Sequence, residues 1–341
     1  MVIDRFTEEQ KKAWDDFVFH HEEATFFHLM GWKEIIESVF GLQPFYLMAK
    51  IGECIEGILP LFLMKHWLFG KKLISMPYAV GGGVCAKSKQ AETMLIDEAV
   101  ALSKKLNLDY LELRHVRERP GDLITRKTYF TFLIELNPEP EKVWNNIRKD
   151  SRRCIRRGLE QDMEIDMSSK DVKDFYRVYA RGQRDLGTPV SSYRWIKQVF
   201  DAFPDNHRIA RVRYQGKTIA SLIIREFKET VFPTIGYALK EYRQMYPFYV
   251  LFWKLIEEGC LKGFKWFDYG RSIPQSGTYQ FKVHYGAQPV QLNYQYYYNN
   301  SKKLPDTSQS NPSRKRFARV WKRLPLPVAN TLGPMIRKYY P

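Results

Sequence analysis

The sequence predicts an α/β (α+β) protein built from two similar units, each a mixed, mostly antiparallel sheet flanked by helices. Three observations carry this expectation. The chain has 341 residues, more than one hydrophobic core usually serves, and 44% of them are hydrophobic. An order of hairpin, strand, helix and further strands occupies the first part of the chain and returns after residue 206. Short stretches also correspond between the copies: GECIEG (52–57) with GKTIAS (216–221), Tyr78 with Tyr237, and YLELR (110–114) with WFDYG (266–270). The expected organisation is an N-terminal unit at 1–140, a basic helical connector with the C-terminal unit at 141–298, and a polar linker with a basic tail at 299–341.

The elements follow from periodicity and turn residues. Thr7 followed by Gln10 is a capping box that opens an amphipathic first helix. FYLMAKI (45–51) and IEGILPLFLM (55–64) read as strands joined by a hairpin across Gly52-Glu53, and KKLISMP (71–77) as a third. A helix over 88–107 precedes the strands DYLELRH (109–115) and TYFTFLIEL (128–136). In the second copy HRIARVRY (207–214) and KTIASLIIREF (217–227) flank Gln215-Gly216. TVFPTIGYAL (230–239), a helix over 247–262 and KWFDYG (265–270) come next, and TYQFKVHY (278–285) and PVQLNYQYYY (289–298) read as closing strands.

Between the copies, VWNNIRKDSRRCIRRGLEQDMEI (143–165) has a helical period. Val143, Trp144, Ile147, Cys154 and Ile155 gather on one side, while Arg148, Lys149, Arg152, Arg153, Arg156 and Arg157 spread over the other; Gly158 then permits a break. Six cations within ten residues, offset only by Asp150, suit an anionic ligand as well as they suit a solvated face.

Composition bounds the function. Cys54, Cys85, Cys154 and Cys260 form no CxxC pair and the seven histidines no HxxxH spacing, so neither a disulfide framework nor a metal site is expected, and a reducing cytoplasm fits best. The N-terminus lacks an apolar signal region, and no run approaches the roughly 18–20 apolar residues that cross a bilayer. The net charge of +16 is concentrated: residues 307–341 hold eight basic residues and no acid, and residues 148–157 add six against one acid. Nucleic acid, a phosphorylated substrate or an anionic lipid surface is the implied partner. In the tail, after the polar linker 299–313, Phe317, Val320, Trp321 and Leu324 fall at helical spacing beside Arg and Lys, in residues 314–341. Such a helix lies in an anionic membrane interface or docks back on the protein. No P-loop and no GxSxG elbow is present, and Gly81-Gly82-Gly83 reads as a tight turn.

The stretch FDYGRSIPQSGTYQFKVHYGAQP (267–289) places a Gly/Ser/Pro loop between a strand and an aromatic segment with one lysine, Lys282. Loops of this kind bring backbone and side chains to a ligand. The hairpin, strand, helix, strand order is the one expected of GNAT acyltransferases. FDYG, SGTY, FK and YGA, preceded by GYALKEYRQMYPFYVLFWKLIEEGCLKGFKW, resemble the second domain of the Fem family of bacterial aminoacyltransferases, which consist of two GNAT-like domains. IRKDSRRCIRRGLEQDMEI resembles the Fem segment joining them, and FFHLMGWKEIIESVFG (26–41) the N-terminal block; the resemblance spans about residues 25–297. GRSIPQSGTYQFKVHYGAQP is similar in particular to the Fem-like group found beside exopolysaccharide and exosortase systems in Gram-negative bacteria.

The resemblance implies transfer of an aminoacyl group, from aminoacyl-tRNA, to an amine of a cell-wall or exopolysaccharide precursor at the cytoplasmic membrane face, with no cofactor and no metal. An ester donor is already activated, so the site has only to position the amine, remove a proton and stabilise the oxyanion. Lys282 matches the lysine of the FK motif, where a cation stabilises the oxyanion or a donor phosphate. Phe281 and Tyr285 would flank it by strand alternation. Asp268 and Tyr237 fit proton acceptors or substrate hydrogen-bond partners, and Asp268 fits a structural partner of Arg271 equally well. Arg184 falls where the family has an arginine that holds the precursor's phosphate, and Arg148, Arg152 and Arg156 would receive tRNA or pyrophosphate. Two departures stand out. The family's N-terminal block often has a phosphate-binding lysine four residues after the tryptophan, but Trp32 is followed at that distance by Ile36, with Lys33 nearby. RQMYPF (243–248) has Tyr246 and Phe248 where the [RQ]xxGx[GA] loop of acyl-CoA enzymes has small residues. An acyl-CoA-dependent N-acyltransferase acting on an exopolysaccharide amino sugar is the alternative within enzymes. A noncatalytic nucleic-acid-binding protein is the alternative outside them.

Overall fold

Left-handed backbone at Gly52 (φ +56°), and at Gln215 and Gly216 (φ 49° and 73°), reverses the chain between the two strand pairs read from the sequence. A computed structural model describes residues 1–66, 70–119, 122–299 and 312–339. It divides into two units, one holding Met1–Tyr129 and the strand residues from Gln291, the other Phe130–Val290 and the tail helices to Arg337.

In the first unit β1 (Val2–Arg5) leads through the Thr7/Gln10 capping box to α1 (Lys11–His20), which buries Trp14, Phe17 and Val18. Helix α2 (Gly31–Phe40) ends at Gly41 in the left-handed region. Then come β2 (Gln43–Pro44), β3 (Leu47–Ile51), β4 (Cys54–Leu59), β5 (Leu61–His66), β6 (Gly70–Ser75), β7 (Cys85–Ala86), α3 (Lys89–Lys105), β8 (Tyr110–His115) and the start of β9 (Ile124–Glu135), which from Phe130 on belongs to the second unit. The single strand expected over 55–64 is two: Pro60, which lacks an amide donor, separates β4, in the sheet β1-β3-β4-β7, from β5, in the order β2-β5-β6-β8. Leu47, Leu59, Leu61, Leu95 and Leu111 fill the core.

The second unit has α4 (Pro140–Asn146), α5 (Lys149–Leu159), β10 (Glu164–Ser169), α6 (Val172–Leu186), α7 (Tyr193–Ala202), β11 (His207–Tyr214), β12 (Lys217–Phe227), β13 (Thr230–Ala238), α8 (Pro247–Leu261), β14 (Trp266–Asp268), α9 (Gly277–His284), the start of β15 (Gln288–Tyr298), which from Gln291 on belongs to the first unit, α10 (Pro312–Trp321) and α11 (Leu326–Arg337). Its strands are ordered β10-β11-β12-β13-β14-β9, all antiparallel except β13 with β14. The first unit repeats this plan: β6 and β8 are its parallel pair, with α3 between them as α8 lies between β13 and β14. Each plan is closed by a strand from elsewhere in the chain, β9 beside β14 and β15 beside β8.

Two further expectations are corrected. TYQFKVHY is helix α9 and not a strand: Ser276 caps it by accepting from the Tyr279 amide at 3.2 Å. The helix expected over 143–165 is broken earlier than Gly158, at Ile147–Arg148, where the backbone turns extended; Gly158 lies inside α5. Most of the polar linker, 300–311, lies outside the described residues.

Candidate active site

The parallel strands β13 and β14 pair at only two positions, Thr230 with Trp266 and Val231 with Phe267, although β13 continues to Ala238. The carboxyl ends of separating parallel strands are where α/β sheets take ligands. Asp268 ends β14 there. Its Oδ1 accepts from the Thr131 hydroxyl at 2.5 Å and from the Gly270 amide at 2.8 Å. Lys282 reaches the same loop from α9: Nζ donates to the Gly270 carbonyl at 2.8 Å and to that of Arg271 at 3.3 Å, and lies 5.0 Å from the Phe132 ring centroid. The residue is 8% exposed, so it is neither a strand residue nor a surface lysine. Burial lowers its pKa to about 8, with Asp268 opposing the shift and Arg271 reinforcing it. Burial also raises the pKa of Asp268, against the hydrogen bonds from Thr131 and Gly270.

The helical form of α9 changes the roles of its aromatic residues. Phe281 and Tyr285, four positions apart, put their rings 5.1 Å from each other and pack on Tyr249 and Phe252 of α8. Tyr285 is wholly buried and its hydroxyl donates to the Tyr249 carbonyl. Tyr285 belongs to the core and half-buried Phe281 packs against it; on a helix the two do not flank the lysine by strand alternation, and that expectation does not hold.

Tyr237 and Arg184 form a second group. A Cβ on Gly182 of α6 would come within 2.1 Å of the Tyr237 ring, so the glycine sets the approach of α6 to β13. Tyr237 is buried, which raises its pKa, and the Asp185 carboxylate and Arg243 guanidinium act on it in opposite senses. Arg184 Nε lies 2.9 Å from Asp185, and its Nη1 donates to the Leu324 carbonyl, just past α10, at 3.4 Å. A cleft of about 740 Å³ lies beside α6, lined by Arg177, Arg181, Arg211, Arg213 and Lys217 against Asp171 and Asp174; Tyr237 and Arg184 do not line it.

Helix α5 forms the third group. Ile155 and Gly158 are buried, while Arg148, Lys149, Arg153, Arg156 and Arg157 are exposed and Arg152 is half-buried, donating to Asn145 at 3.4 Å. The Arg148 amide donates to the His284 carbonyl at 2.9 Å and its Nη1 lies 2.8 Å from His284 Nε2, which ties the start of α5 to the end of α9. At the other end a Cβ on Gly158 would meet Val250 at 2.5 Å and the Met245 carbonyl at 3.2 Å, so α5 crosses the start of α8 in contact. Tyr246 there is left-handed (φ 56°), Arg157 lies over its ring, and Pro247, the first residue of α8, has no amide hydrogen. In the N-terminal block Ile36 is wholly buried and Lys33 is held by Glu8 at 2.6 Å and Glu37 at 2.9 Å.

Sequence reasoning missed Thr131, Phe132, Gly182 and the Leu324 carbonyl. Only the glycine of FDYG gave a signal for the Lys282 loop; Thr131 and Leu324 meet their partners across 137 and 140 residues. Among the described residues no group of three His, Cys, Asp or Glu side chains could hold a metal.

Residues 142–283 match the acetyltransferase (GNAT) domain family. No curated protein matches the chain in sequence. Among solved structures the chain is similar to FemX, with a TM-score of 0.68 at 12% identity over 88% of this chain and 98% of that one. It is also similar to L-PGS from Bacillus licheniformis, at 0.54 and 12% over 86% and 96% of the two chains. A tandem GNAT protein from the clavulanic acid biosynthesis pathway gives 0.53 and 9% over 87% and 98%. The chain therefore has the fold of FemX, two GNAT-like units in succession, with residues 142–283 recognisable as a GNAT acetyltransferase domain.

Proposed function

We propose that the chain is an acyltransferase that moves an aminoacyl group from the ester of an aminoacyl-tRNA to an amine on a cell-wall or exopolysaccharide precursor. The observation that carries the donor is the placement of α5. Its buried side closes over the start of α8, where acyl-CoA enzymes of GNAT fold cradle a pyrophosphate, and its other side offers a row of arginines to solvent. One compact pyrophosphate is disfavoured at that helix start, whereas a tRNA backbone, with phosphates spaced along its length, suits spread cations. The likeness in fold to FemX supports the class.

In this reading the acceptor amine attacks the ester carbonyl: the N–C bond forms, the C–O bond breaks, and the ribose hydroxyl leaves with a proton the amine gives up. Lys282, held by the Gly270 carbonyl at 2.8 Å and by that of Arg271 at 3.3 Å, would turn its ammonium to the oxyanion. Asp268 favours the charged form of Lys282 and accepts the amine's proton. Arg184 and the cleft beside α6 take the acceptor's phosphate.

The match of 142–283 to an acetyltransferase domain favours a second reading, acyl-CoA-dependent N-acylation of an amino sugar. The test supplies purified protein with lipid-linked precursors extracted from membranes and either labelled aminoacyl-tRNA or labelled acyl-CoA, with Lys282→Ala as control. Label transferred from tRNA, and lost in the variant, supports the proposal. Transfer from acyl-CoA alone replaces it with the second reading, and nucleic-acid binding without turnover from either donor leaves a binding protein.

A further inference from the structure

Helices α10 and α11 have two faces, and the fold uses one. Small residues set the inner face. A Cβ on Gly187, after α6, would come within 2.7 Å of the Ala318 carbonyl oxygen, and one on Gly333 within 2.8 Å of Val190. Trp321 and Ala329 are buried on the same side. The outward face of α11 carries Val328, Leu332 and Met335, four and three residues apart and 41%, 42% and 66% exposed. Pro327 and Thr331 beside them are exposed and uncharged. Helix α10 adds Phe317 and Val320, 40% and 60% exposed, next to exposed Lys315, Arg316 and Arg319, with Lys322 and Arg323 following. Residues 307–341 contain no acid.

We propose that this outward face docks on an anionic lipid bilayer, the apolar ridge of α11 entering the interface while the cations of α10 meet headgroup phosphates. An uncharged ridge beside a cationic one is the pattern of a helix that lies in a membrane surface. Other occupants use half of it. A second copy of the chain would set cations against cations, and a nucleic acid would leave Val328, Leu332 and Met335 in water. No described helix is long and apolar enough to cross a membrane, so the tail lies on the bilayer. Because the inner face is packed on α6, docking needs no unfolding of the tail. The inference is independent of the acyl-transfer reading, and its test involves no turnover.

The full chain is sedimented with vesicles of phosphatidylcholine alone and of phosphatidylcholine mixed with phosphatidylglycerol. Binding to the mixed vesicles, weakened by salt, is expected. The pair Leu332→Glu with Met335→Glu, both on the exposed face, lowers affinity about tenfold or more at an unchanged thermal midpoint. Arg319→Glu with Lys322→Glu lowers it on the mixed vesicles by a similar factor. Absence of binding to mixed vesicles at low salt overturns the proposal, whether or not the chain self-associates. Unaltered binding of the Leu332/Met335 variant overturns it too, since cations alone would then account for the attraction, as they would with RNA.

Discussion

Strands β8 and β14 hold the same place in the two units and treat the same kind of acid differently. Tyr110 pairs with Lys72 and Trp266 with Thr230 on the preceding parallel strand, so Glu112 and Asp268, two residues on, correspond. Glu112 is satisfied within its own strand: Arg114 Nε lies 2.9 Å away, the guanidinium also donates to the Ala79 carbonyl at 2.9 Å and lies over Tyr294, and both members of the pair are buried. At the position of Arg114 the second unit has Gly270, left-handed at φ +69°, with nothing within 4 Å of where a Cβ would stand. The cation for Asp268 comes instead from α9, as Lys282 bound to backbone carbonyls. One topology thus yields a closed ion pair in one copy and, in the other, a lysine bound to two backbone carbonyls. The first is built for stability; the second, in the proposed reading, for chemistry.

The contrast can be broken at several points. Arg114→Met leaves Glu112 buried without its partner and costs about 3–5 kcal/mol of stability. Chemical denaturation measures this, and a loss below about 1 kcal/mol would remove the structural role of the first unit's pair. Lys282→Ala is expected to leave the denaturation midpoint close to that of the parent while slowing transfer about 10²–10³-fold, the usual effect of deleting one oxyanion donor. A variant with parental turnover but reduced stability would make Lys282 a structural clamp like Arg114. Gly182→Ala forces a methyl into the Tyr237 ring, an overpacking worth about 1–3 kcal/mol, and shifts Arg184 with α6. Its acceptor KM should rise more than its donor KM; the reverse would separate the α6 cleft from the acceptor. Arg153→Glu with Arg156→Glu, both exposed on α5, should raise the donor KM about tenfold and flatten its salt dependence by roughly one unit per cation. An unchanged donor KM would return α5 to an ordinary solvated helix.

Much of the fold is legible in the sequence because local chemistry and tertiary packing agree in it. The Thr7/Gln10 capping box, the turns at Gly52 and Gln215-Gly216, and the helices at 89–105 and 247–261 stand where periodicity and turn residues place them. TYQFKVHY reads as a strand because Tyr279, Phe281, Val283 and Tyr285 alternate as in one, and a helix with so little amphipathic contrast hides its period. Ser276, three residues before Tyr279, is the cap that corrects the reading. Gly158 has the composition of a helix end, but it is the place where two helices touch, a meaning that lies in the partner, Val250, and not in the neighbours. For the candidate site, the family resemblance of the FDYG and FK stretches points to Asp268 and Lys282, and the fold brings both to the loop at Gly270. Thr131 and the Leu324 carbonyl are not legible in this way, since nothing local distinguishes a threonine in a strand or a carbonyl after a helix until the chain is folded.

The most direct test of the account is the pH dependence of single-turnover transfer, corrected for ester hydrolysis, in the parent chain and in Lys282→Arg. With its pKa lowered to about 8, Lys282 is charged below that pH and loses its proton as the pH rises through it. If the ammonium supports the oxyanion, the parent's rate falls above pH 8, and the arginine variant, whose guanidinium stays charged throughout, loses that limb. A parent rate that rises through pH 8, or the same falling limb in both proteins, would contradict the role assigned to Lys282.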